Sequence, residues 1–62
     1  MTADGYELEL GDVAYDVDGR PGRVTVTYRR GKGTDREWWV TVEYENGGTR
    51  DAPEGCFRKN KP

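Results

Sequence analysis

Several groupings of side chains in this 62-residue chain are of types that do chemistry. Carboxylates one residue apart, Asp16 with Asp18 and Glu43 with Glu45, are the pairs from which general acid–base catalysis is built. On an extended strand such pairs share a face, which reads as a solvated acidic surface, and a chain this short has little room for a desolvated cleft. No enzymatic activity and no catalytic residue is therefore expected. Gly31-Lys32-Gly33-Thr34 has the composition of a phosphate loop but neither its spacing nor a following helix, and reads as a polar hairpin loop. With no histidine and the single cysteine Cys56, an internal disulfide and the usual zinc and histidine-dependent sites are excluded, so no metal and no cofactor are expected. The Cys56 thiol itself is expected as a small buried hydrophobe near the start of a last strand.

What remains is aromatic and basic, which is binding chemistry. Arg20, Arg23, Arg29, Arg30, Lys32 and Arg36 form the one basic concentration of the chain, with Tyr28 and Trp39 near them in sequence. An exposed tryptophan ringed by guanidinium groups is the combination favoured at the centres of protein interfaces. Trp39, Arg29, Arg30, Arg23 and Arg20 are accordingly the expected partner-binding residues, with another protein as the partner. The same arginines would serve a nucleic-acid surface, since phosphates need cations and unstacked bases need aromatic planes. Against that stands the sequence pI of about 5.0, where nucleic-acid-binding domains usually lie above 9. A third reading makes the acids of residues 4–18 an imitation of nucleic acid, in an inhibitor of a DNA-handling enzyme.

The elements that must carry these residues are strands. Residues 12–17 predict a first strand with Val13, Tyr15 and Val17 on one face. Asp18-Gly19-Arg20-Pro21-Gly22 predicts a turn, with Pro21 presetting its backbone and Gly22 taking the positive φ of a type II turn. Residues 23–30 predict a second strand with Val24, Val26 and Tyr28 inward and Arg23, Thr25, Thr27 and Arg29 outward. Residues 37–45 bury Trp38, Val40, Val42 and Tyr44 in strict alternation and leave Trp39 outside, because the opposite register would bury two glutamates. Trp39 is then either open to a partner or capped by Tyr6 or Leu8. At Asn46-Gly47-Gly48 a two-residue hairpin loop would set Glu43 opposite Arg50, and is preferred to a three-residue loop that would oppose Glu43 to Asp51. A short fourth strand (49–52), one 3₁₀ turn (53–55) and a brief fifth strand (56–59) follow. Charge is laid out in blocks, residues 1–18 acidic, 19–36 basic, 37–54 acidic and 55–62 basic, which predicts cross-strand pairing in an antiparallel meander.

Val, Leu, Ile and Phe number only nine of 62, but seven aromatics supply large buried areas and the net charge of −2 is small, so the chain is expected to fold, with modest stability. The expected fold is all-β, a small five-stranded antiparallel barrel in residues 11–59, with an N-terminal arm at 1–10 and a tail at 60–62. Gly11-Asp12-Val13, Gly22 with Val24, the run Trp39-Val40, Val42, Tyr44 and Gly47, and Pro53-Glu54-Gly55 before Phe57 together make a pattern over residues 11–58. That pattern resembles SH3-like β-barrels of the Tudor and KOW type. The resemblance implies a non-enzymatic binding module for a peptide, a modified side chain, nucleic acid or a protein assembly. No basic segment precedes an apolar run and no 18 apolar residues come together, so neither a signal peptide nor a membrane span is expected, and the cytoplasm is the expected location.

Overall fold

The computed structural model describes residues 1–61; Pro62, the end of the expected tail, lies outside them. Four strands, β1 (Val13–Tyr15), β2 (Pro21–Arg30), β3 (Glu37–Tyr44) and β4 (Thr49–Pro53), form one antiparallel sheet in sequence order that curls into a half-barrel. Short 3₁₀ turns at Gly33–Asp35 and Glu54–Cys56 complete the structure, with no α-helix among the described residues. The concave face holds the core of Leu8, Ala14, Val24, Val40, Val42 and Phe57, with Tyr44 and Ala52 packed against it.

The barrel expected from the sequence is not closed, and its fifth strand is missing. Residues 56–59 contribute one isolated bridge, in which Tyr15 and Arg58 exchange backbone hydrogen bonds of 2.8 Å each way. Beyond it the donors turn to the N-terminal arm: the Lys59 and Asn60 N–H groups both donate to the Asp4 carboxylate at 3.0 Å. Ala3 N–H donates to the Phe57 carbonyl at 2.9 Å. Polar capture by the arm thus replaces a β-ladder. Cys56 lies in a 3₁₀ turn closed by the Phe57 N–H on the Glu54 carbonyl, and its thiol is exposed rather than buried.

Two strands place their faces otherwise than the apolar pattern suggests. In β1 and just beyond it alternation holds, but the inward residues are Ala14 and Asp16, while Val13 and Val17 are exposed. Ala14 lies opposite Gly22, and a Cβ on Gly22 would stand 3.0 Å from Val42 Cβ, so these small residues are what lets β1, β2 and β3 close over the core. Gly22 is therefore a packing glycine within β2, and the positive φ of the preceding turn falls at Gly19. In β2 a bulge at Thr25 shifts the register between Val24 and Val26. Val24 faces inward opposite Val42, but Val26 falls opposite Thr41 and is exposed, and the inward position passes to Thr27, opposite Val40.

The β3 register is as expected, with Val40 and Val42 fully buried, but Trp38 at its tip end is 47% exposed. The sheet runs on past the core there, so the expected face is only partly covered, by Arg29 and the border of the N-terminal arm. The hairpin into β4 has neither anticipated register. Glu43 lies opposite Thr49 and Val42 opposite Arg50, because Gly47, at φ 89°, donates its N–H to the Tyr44 carbonyl, and Tyr44 then pairs with Gly48 across a three-residue loop.

Candidate docking site

The outer face of the β2–β3 hairpin collects an aromatic and basic cluster near its tip. Tyr28 lies directly opposite Trp39, their ring centroids 6.4 Å apart and tilted by 36°. The Arg30 guanidinium sits 4.5 Å from the Trp39 ring centroid, within the range of cation–π attraction. Trp39 Nε1–H donates to Glu37 Oε1 at 3.2 Å, and Thr41 Oγ1–H donates to the Asp51 carboxylate on β4. The Tyr28 hydroxyl is pushed above its ordinary pKa, first by desolvation and then by the hydrogen bond and charge of Asp51. The result is a half-buried indole held by a ring, a guanidinium and a carboxylate, with the remaining donors of Arg30 directed at no carboxylate among the described residues.

Of the five residues expected to bind a partner, only Trp39 and Arg30 are brought together. The bulge at Thr25 moves Arg29 to the other face, opposite Trp38, where its guanidinium stands 5.5 Å from that indole. Arg23 is on the outer face but seven residues along β2 from Arg30, roughly 23 Å at the rise of a strand. It faces Glu43 beside an open depression of about 450 Å³ that Val13, Thr25 and Glu45 also line. Arg20 stacks over Tyr44 at 5.2 Å, at the turn end of the sheet. The N-terminal arm borders Trp38, not Trp39, and its Leu8 is buried in the core while Tyr6 and Leu10 stay exposed.

Sequence reasoning missed Tyr28, which it placed inside; the bulge that turns it outward has no local signal in the Val-Thr-Val-Thr run. It also missed the use made of Asp16. That carboxylate is buried, and its Oδ1 accepts the Asp18 and Arg20 N–H groups at 2.9 Å each while Oδ2 accepts the Tyr44 hydroxyl at 2.7 Å. Burial opposes its ionisation, but the bonds from Arg20, Tyr44 and Asp18 and the charge of Arg50 outweigh this and hold its pKa below the usual value. The expected cross-strand pairing of charge blocks is met in register only. Arg23 faces Glu43 and Arg30 faces Glu37, yet the ion pairs among the described residues are Met1 amine with Glu54 and Lys59 with Asp12.

Among the described residues no three histidine, cysteine or acidic side chains gather as a metal site, and no helix is long and apolar enough to cross a membrane. No protein-family model, no curated protein and no solved structure matches the chain.

Proposed function

We propose that this chain is a non-enzymatic binding module, a small accessory or regulatory protein that docks on another protein through Trp39, Tyr28 and Arg30. The observation that carries this reading is the stack of Arg30 on Trp39 beside Tyr28, on a sheet face that the N-terminal arm leaves uncovered. Tryptophan, tyrosine and arginine are the residues enriched in interface hot spots, and here their rotamers are already restrained by one another. The resemblance to SH3-like barrels of Tudor and KOW type supports the same class. In this reading Arg29, Arg23 and Arg20 lie outside the anchor and contribute through their charge.

A nucleic-acid partner is the second reading, favoured by three arginines stacked on aromatic rings and ion-paired with no carboxylate among the described residues. Glu37 and Asp51 beside the Trp39 cluster would repel a phosphate backbone laid across that face, so the protein reading leads. Affinity capture from host lysate with and without nuclease treatment, with the intact chain and Trp39→Ala as paired baits, tests both. A protein retained by the intact chain and lost with Trp39→Ala supports the proposal. A partner destroyed by nuclease, whose binding weakens steeply with salt, replaces it with the nucleic-acid reading.

A further inference from the structure

The hairpin tip has a second aromatic surface, on the face opposite Trp39. A groove of about 280 Å³ runs between the N-terminal arm and β3, floored by Leu8 and Thr27 and walled by Leu10 and Trp38. Leu10 is 65% and Trp38 47% exposed, so two large apolar side chains flank it uncovered. Its rim carries Glu7 and Glu9, both exposed and neither ion-paired within the described residues. Glu54 also reaches the groove, but its buried carboxylate is already engaged by the Leu8 N–H at 2.9 Å and by the Met1 amine. The chain's own Arg29 guanidinium stands 5.5 Å from the Trp38 ring centroid.

The geometry points to this groove as a receptor for a lysine or arginine side chain of a protein partner. A long basic side chain is apolar along its stem and charged at its end. Leu10 and Trp38 match the stem, Glu7 and Glu9 match the cation, and the groove is sized for a side chain rather than a folded element. The charge complementarity argues against a polyanion, because the two free carboxylates on the rim would face its phosphates. Arg29 then acts as a resident competitor, occupying the indole that an incoming cation would use. This inference is independent of the outer-face reading, since Trp38 and Trp39 alternate to opposite sides of β3.

The test is an NMR titration of the ¹⁵N-labelled chain with three blocked pentapeptides, alike except for a central lysine, norleucine or glutamate. The lysine peptide should move the Trp38 indole N–H and the Leu8 and Leu10 amides, leave the Trp39 indole in place, and bind about tenfold more tightly than the norleucine peptide. Glu7→Gln with Glu9→Gln, both at exposed positions, should abolish that preference while the spectrum stays that of the folded chain. Arg29→Ala should strengthen lysine-peptide binding, and Trp39→Ala should leave it unchanged. Equal affinity for the three peptides, a preference that survives the glutamine replacements, or weaker binding in Arg29→Ala would overturn the proposal. So would a single-stranded oligothymidylate that displaces the lysine peptide from Trp38.

Discussion

The two ends of the β2–β3 hairpin are made from similar residues and meet opposite fates. At the turn end, Tyr44 packs against the core, its hydroxyl bonded to buried Asp16, while Gly22 and Ala14 let the strands close. At the tip, Trp38 continues the same inward alternation but is only half covered, by Arg29 and the border of the N-terminal arm, and Trp39 on the other face is held by Tyr28, Arg30 and Glu37. Alternation decides the side of a residue. Burial depends on whether the chain returns to that place, and here Leu8 of the arm and Phe57 of the C-terminal segment enter the core, Arg58 bridges Tyr15 at the closed end, and the arm only borders Trp38 at the open one.

The comparison breaks most readily at its closed end. Phe57→Ala, at a fully buried position of the C-terminal segment, should cost about 3–5 kcal/mol and leave little folded protein in a chemical denaturation series. A variant as stable as the parent would mean that this segment does not close the core. Asp16→Ala should follow at about 2–4 kcal/mol, because it strands two backbone donors and the Tyr44 hydroxyl.

The same network sets a pH dependence. Asp16 has a depressed folded pKa, so its contribution is complete above the unfolded value of about 4 and is lost as pH falls below that toward the folded one. Tyr44 has a raised pKa, first from desolvation and then from its bond to Asp16 and that group's charge, so its contribution holds below about 10 and is lost as pH rises beyond. Denaturation midpoints across the pH range should show both limbs. Asp16→Asn should shrink the acid one and leave the part due to Asp4, whose pKa is also held low, first by the Thr2 hydroxyl.

Smaller effects are expected at the open end. Trp38→Ala should destabilise by about 1–2 kcal/mol, well short of the about 3–5 expected for a buried tryptophan. A larger loss would place Trp38 in the core after all and remove the contrast between the two ends. Trp39→Ala should change stability least, by about 1 kcal/mol, while costing roughly 2 kcal/mol or more in partner binding. Melting without a separate binding defect would make the outer cluster a structural device and sharpen the division differently.

Much of this was legible in the residues themselves. The all-β class, the face of β3, the position of Trp39 outside it and a 3₁₀ turn near Pro53 follow from period-two alternation and turn chemistry, which act over a few residues and need no knowledge of the rest of the chain. The placement of Arg29, Tyr28 and Asp16 was not legible, because each depends on distant partners. One bulge residue, Thr25, exchanges the faces of everything after it in β2, and only the match of Val24 to Val42 and of Thr27 to Val40 across the hairpin requires it. Asp16 is inward because Tyr44 and the turn backbone lie there to bond it. The last strand gave way to the arm because Asp4, more than fifty residues earlier, offers its carboxylate to Lys59 and Asn60. Local order was thus set by local sequence, while the half-open barrel and the division of its arginines between two faces were decided by long-range hydrogen bonds and packing, which appear only once the chain is folded.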